Sequence, residues 1–347
     1  MAKFSSTLLA GVIAAFCSAP NLAHSSGTPL PTIMIGPPAC VAIDATRYNG
    51  NGTCAGGGGG RHGAQLDELL DNPKTWVKLR HYDVGIVIGA NQKNVSDKEL
   101  RRRVSEANAL HLPIESYAGV IKTWSASGAQ SFALASASWD RIIRDGGTIN
   151  SVAMDDPLAG ALKHKPPLSS EDAIEQIAIF VQLAHQHYPD IKIGLVNPYP
   201  KFSADESIGQ IDALQANLHA KGVRGLDFYR VDPNWWPFVK GKKTGSWEGI
   251  KQIQLHCHAI HLPFSLTYWA SNYPARVHKT GQLSDQFWRD GLQQELQGYA
   301  ATGMLPDQIA IQSWVGAPSH GTPEDDPMSF TGSALEVVHN LGMKTVH

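Results

Sequence analysis

Two hydrophobic rhythms alternate along most of this chain. Short apolar runs, bounded by Gly, Pro and Asp, are followed by longer segments whose apolar residues recur three and four positions apart. The runs predict strands at Asp83–Gly89, Pro113–Gly119, Ile149–Asp155, Ile191–Asn197, Gly225–Asp232, Pro263–Trp269 and Ile309–Trp314. The longer segments predict helices at Ser96–Leu110, Ser127–Arg144, Ser170–His187, Ala204–Ala220, Ser246–Ile260, Ser284–Ala301 and Ser333–Leu341. Ile174, Ile177, Val181 and Ala184 mark one helical face, and Ile208, Ile211, Leu214 and Leu218 another. Ser96 with Glu99 three residues on is a capping-box start, and Gly222 suits a helix C-terminus. Upstream, Cys40–Asp44 predicts a first strand and Ala64–Leu70 a short first helix.

Strand and helix in strict alternation mean a parallel sheet. Eight such units in about 300 residues fit a closed (β/α)8 TIM barrel of one domain over residues 37–347. Residues 24–36, rich in Ser, Pro and Thr, read as a linker. Residues 1–23 read as a secretory signal: Lys3 precedes the apolar run Leu8–Phe16, with cleavage expected after Ala19 or Ala23. No later run is long enough to span a bilayer.

Side chains alternate across a strand, so each strand sends one set to the helices and one to the barrel interior. Val84/Ile86/Ile88, Val152/Met154, Ile191/Ile193/Leu195, Leu226/Phe228, Phe264/Leu266 and Ile309/Ile311 form the helix-facing sets. The opposite sets place Glu115, Tyr117, Asp155, Asp227, Tyr229, Thr267, Trp269, Gln312 and Trp314 inside. Asp232 is expected to return over the mouth by a turn at its strand end, and parity sends Arg230 outward, the alternative being an inward partner to an acid. An interior with this many carboxylates and aromatics is unlike a purely aliphatic core, because buried charge is costly unless paired or used. Trp124, Asn197, Trp235 and Trp236 follow strand ends and join the rim.

Composition narrows the chemistry. The chain has 347 residues, 42% hydrophobic and 17% charged, with a formal net charge of −2. It has no basic block, so nucleic acid is excluded as a partner on electrostatic grounds. The glycines at 56–60 lack the Gly-Lys-Ser/Thr ending of a phosphate loop, and no dinucleotide fingerprint follows the first strand. No cofactor is implied. His256, Cys257, His258 and His261 resemble a metal cluster, but they end a helix at the amino-terminal face of the barrel, opposite the usual site. A loop closed by Cys40 and Cys54 would suit an oxidising compartment, leaving Cys257 as a buried thiol.

Paired carboxylates with aromatic platforms suit glycosidic bonds: one acid protonates the leaving oxygen while the other attacks or activates water. Asp155, at the end of the fourth strand, is the first candidate, with Asp156 as its alternative. Asp232, ending the sixth, is the expected partner, and Glu115 lies deeper. Tyr117, Trp124, Asn197, Asp227, Tyr229, Trp235, Trp269, Gln312 and Trp314 are candidate substrate contacts. The pattern resembles the TIM-barrel glycoside hydrolase superfamily, and the acids on strands four and six resemble its α-galactosidase-like branch. The resemblance implies a secreted glycosidase acting on a poly- or oligosaccharide. A carbohydrate-binding barrel without catalysis is the alternative.

Overall fold

The computed structural model describes residues 32–45, 48, 63–88 and 95–346. Eight parallel strands close into a barrel in sequence order: β1 (Ile33–Gly36), β2 (Val84–Val87), β3 (Ile114–Ala118), β4 (Ile149–Asp155), β5 (Lys192–Tyr199), β6 (Phe228–Pro233), β7 (Phe264–Tyr268) and β8 (Gln308–Gln312). Helices α1 (Ala64–Asp71), α2 (Asp97–Ala109), α3 (Gly128–Arg144), α5 (Ser170–His187), α6 (Ala204–Ala220), α8 (Trp247–Ala259), α10 (Asp285–Ala300) and α11 (Phe330–Asn340) follow the strands. Three short helices, α4 (Pro157–Ala161), α7 (Trp235–Val239) and α9 (Tyr273–Thr280), are inserted after β4, β6 and β7. Serine side chains cap several helix starts. Ser96 accepts from the Glu99 N–H, and Ser203 with Glu206 forms a complete capping box.

The first strand differs from expectation. Ile33–Gly36 pairs with both β2 and β8 and closes the barrel, whereas Cys40–Asp44 is loop. The strand is only four residues long and lies between a Ser-, Thr- and Pro-rich stretch and Pro37–Pro38, so the segment around it reads as a linker. Those prolines end the ladder, because proline has no N–H to donate, and the apolar run beyond them cannot join it. Residues 1–23, the proposed signal, lie outside the described residues, as does Cys54. Cys257 is a buried free thiol. Among the described residues no helix is long and apolar enough to cross a membrane.

The main core lies between sheet and helices. It contains the expected aliphatic sets of β2, β4, β5, β7 and β8. Strand β6 is reversed. Tyr229 and Val231 face the helices, and Phe228 joins Ala153, Val196 and Tyr117 in a separate cluster inside the barrel. Phe228 is the more apolar of the adjacent pair Phe228 and Tyr229, so pattern alone chose the wrong face. Packing decides it: a Cβ on Gly194 would lie 2.2 Å from the Phe228 ring, so glycine on β5 makes room for that ring. With Phe228 inward, Arg230 and Asp232 point inward too, and Asp232 needs no turn to reach the mouth.

The strand register fixes which interior side chains share a level. Asp155 pairs with Val196, Val196 with Arg230, Arg230 with Ser265 and Ser265 with Gln308. An eight-stranded barrel of this class shifts level by about one residue per strand. That shift puts Asp155, Asp232 and Gln312, all on even strands, in one layer at the carboxyl end. Tyr117, Val196 and Thr267 form the odd-strand layer beneath. Ala153, Arg230 and Ala310 form the next, where two alanines leave space for one long guanidinium.

Candidate active site

The floor of the mouth is a closed polar network. Arg230 and Glu115 are fully buried and pair through two bonds, Nη1–Oε1 at 2.6 Å and Nη2–Oε2 at 3.0 Å. Arg230 also donates to Ser265 Oγ, Gln308 Oε1 and the Tyr117 hydroxyl, and Ser151 donates to Glu115. The guanidinium lies 5.0 Å over the Phe228 ring. Such saturation is what a buried ion pair requires. Glu115 is therefore bound into the floor and is not a free acid at the mouth. Gln312 Nε2 donates to Tyr117 Oη at 2.6 Å, tying floor to rim.

Above the floor stand three carboxylates in different settings. Asp155, half-exposed, accepts from Lys122 Nζ at 2.8 Å. Lys122 sits at the end of the β3 segment, where Lys122 and Ser125 close a two-residue hairpin. Asp156 adopts a left-handed backbone (φ 46°, ψ 41°), a region few residues other than glycine enter and Asp tolerates better than most. The next residue, Pro157, disfavours the right-handed helical alternative at this position. Burial, and then the Asp155 charge, push the Asp156 carboxyl up to about 7. Asp232 is held well above the ordinary carboxylate range by burial, with the Asp156 and Asp155 charges adding to it. Asp156 Oδ1, Asp232 Oδ1 and the neighbouring Thr267 Oγ1 are buried with no hydrogen-bond partner among the described residues.

Short helix α4 holds this acid corner in place. A Cβ on Gly160 would lie 1.9 Å from the Ile121 carbonyl, so α4 touches the backbone just before Lys122. Aromatics flank the acids. Trp269 and Trp314 meet edge to face at 5.4 Å, and the Trp269 indole donates to the Pro233 carbonyl. Trp124 is 64% exposed and Trp314 37%. Lys240 lies over Trp236 at 4.5 Å. Behind β7, buried Glu295 accepts the Trp269 backbone N–H at 2.7 Å, and burial raises its carboxyl well above the usual range.

Several expected contacts lie elsewhere. Asp227 sits below β6 at the amino-terminal end, accepting from the Ile193 N–H and facing Arg224 and Lys192, because the reversed parity of β6 removes it from the interior. Tyr229 faces the helices for the same reason. Asn197 alternates with inward Val196 and so turns outward, donating to Gln210 on α6. Trp235 is a core residue, 1% exposed, whose indole donates to the Trp269 carbonyl and supports that rim from behind. His256 and His258 diverge to Asp212 and Asp307. Sequence reasoning missed Lys122 and Glu295, and parity set Arg230 outside where the structure turns it inward to Glu115. Small residues on neighbouring strands, Ala153, Gly194 and Ala310, were the available signal for the space that Phe228 and Arg230 fill.

The chain is a (β/α)8 barrel whose carboxyl-end mouth gathers three carboxylates, one lysine and an aromatic rim. No protein-family profile and no curated protein matches it. Solved structures similar to it include the GH53 catalytic domain of Ignisphaera aggregans, at 12% identity over 91% of this chain and 98% of that one, TM-score 0.48. Malate synthase of Haloferax volcanii matches at 12% identity over 91% and 71%, TM-score 0.47. An aldo-keto reductase of the silkworm Bombyx mori matches at 14% over 93% and 82%, TM-score 0.46. Likeness at this level concerns the barrel and not the residues of its mouth.

Proposed function

We propose that this protein is a secreted glycoside hydrolase that cleaves a poly- or oligosaccharide across the barrel mouth. The observation that supports this most is the division of labour among the acids. Asp155 accepts from the Lys122 ammonium, while burial raises the Asp232 carboxyl well above the usual carboxylate range. Glycosidic cleavage needs one acid and one carboxylate, and these two settings suit those two roles. Asp232 gives its proton to the glycosidic oxygen as the bond to the anomeric carbon breaks. Asp155 meets the developing positive charge, either by bonding to that carbon or by taking a proton from an attacking water. The proton given by Asp232 leaves on the released hydroxyl, and Asp156, which interacts with both acids, can help return the proton lost by the attacking water to Asp232. Trp269 and Trp314 offer apolar faces to the C–H side of a sugar ring, and Gln312 offers amide hydrogen-bonding groups to its hydroxyls. Secretion rests on the signal-like segment 1–23.

The experiment is a screen against a panel of polysaccharides, with product anomers followed by NMR. Asp155→Asn should lose turnover and keep binding. Binding without turnover in both forms would make this a carbohydrate-binding barrel. Neither binding nor turnover on any glycan would end the proposal.

A further inference from the structure

The short hairpin after β3 presents a large apolar side chain to solvent on a firmly held backbone. Lys122 and Ser125 exchange N–H···O bonds of 3.1 Å in both directions. Ser125, 2% exposed, donates to the Ser127 carbonyl at 3.1 Å, and its Oγ lies 3.0 Å from Ser131 Oγ. Ser131 in turn bonds the Val120 carbonyl. Trp124 is at the tip of this turn, 64% exposed. One edge of its indole lies against the end of β3, where a Cβ on Gly119 would be 3.2 Å from its Cζ2. The ring is thus positioned as well as exposed. Its hairpin also carries Lys122, whose bond to Asp155 fixes the turn relative to the acids. With Lys122 neutralised by that bond, what the tip offers is an uncharged aromatic face.

Closed strand order sets where this face stands. Strands β3 and β7 are four apart in a ring of eight, so they lie on opposite sides of the mouth. Trp269 follows β7 and meets Trp314 after β8. The acids on β4 and β6 occupy the arc between these two aromatic sides. A single sugar ring on the Trp269–Trp314 side leaves Trp124 bare, whereas a chain of rings crossing the acids covers both.

We infer that Trp124 is the platform of a separate sugar-binding subsite, that the substrate is an uncharged glycan chain extending to both sides of the cleaved bond, and that cleavage is internal. This rests on the glycosidase reading above. The test compares wild type, Trp124→Ala and Trp124→Phe on the best-cleaved polysaccharide and on the shortest aryl glycoside or oligosaccharide that is cleaved. Trp124→Ala should lower kcat/KM on the polymer about tenfold, mainly through KM, and change the short substrate less than about twofold. Trp124→Phe should recover part of the loss, and thermal stability should not change. Wild type should cut polymer viscosity faster than it releases reducing ends.

Equal losses on both substrates, no loss on the polymer, or release of end units alone would overturn the inference while leaving the hydrolase reading intact. If wild type binds a polysaccharide without cleaving it, affinity electrophoresis decides. Lost retardation in Trp124→Ala supports the subsite even though the hydrolase reading has failed, and unchanged retardation overturns it. Absence of both binding and cleavage overturns both.

Discussion

Lys122, in the hairpin after β3, and Asp155, at the end of β4, meet at 2.8 Å over the top of the barrel. The lysine is mostly covered and the aspartate half-exposed, so the pair adds little to stability. Its consequence lies in chemistry. Removing one charge-assisted bond from a carboxylate costs about 1.5–3 kcal/mol, so Lys122→Met should lower kcat by about 10- to 100-fold with thermal stability nearly unchanged. Steady-state kinetics on any cleaved glycan measure this, and an unchanged kcat would remove Lys122 from the mechanism.

The raised carboxyls give a pH signature in stability as well as rate. Asp232 and Asp156 bind a proton more tightly folded than unfolded, where the value is about 3.9. Their contribution is complete below that pH and is lost as pH rises through the folded values. Asp232→Asn, which cannot ionise, should melt with wild type at pH 4 and above it at pH 8. Parallel melting curves from pH 4 to 8 would contradict the buried, protonated acid. In the rate profile, the alkaline limb of wild type should be absent from the residual activity of the variant.

Glu115 and Arg230 are both fully buried and pair through two hydrogen bonds. Arg230→Met leaves a buried carboxylate without its partner and should cost about 3–5 kcal/mol. The double variant Glu115→Met with Arg230→Met should cost clearly less than the sum of the single changes. Urea unfolding of the four proteins completes the cycle, and additive losses would mean that the two do not act as a pair.

Gly160 allows α4 to touch the backbone beside Lys122. Gly160→Ala drives a methyl into the Ile121 carbonyl and should cost about 1–3 kcal/mol, with turnover falling because Asp155 and Lys122 shift apart. Gly209, on α6, has nothing within 4 Å of its missing Cβ, so Gly209→Ala should stabilise by about 0.5–1 kcal/mol and leave turnover alone. Equal effects at the two positions would discount the close approach.

The barrel was legible because helix and strand periods differ and alternate without interruption from β2 to α11. Strand parity was legible wherever aliphatics stood on one face only, which correctly turned Asp155, Tyr117 and Gln312 inward. It failed on β6, where Phe228 and Tyr229 are adjacent aromatics and a glycine on the next strand decides between them. That single reversal moved Arg230 in and Asp227 and Tyr229 out. Lys122 was invisible because its role depends on a hairpin after β3, and loop geometry leaves no hydrophobic period. Ile33–Gly36 was hidden by prolines that mark the end of a strand as readily as they mark a linker.

The Glu115–Arg230 pair also determines how material moves through the molecule. It fills the axis beneath the acids and is sealed from solvent. Nothing can thread the barrel from end to end. Any ligand of the mouth must arrive and depart on the same side, so a long polymer could only lie across the opening.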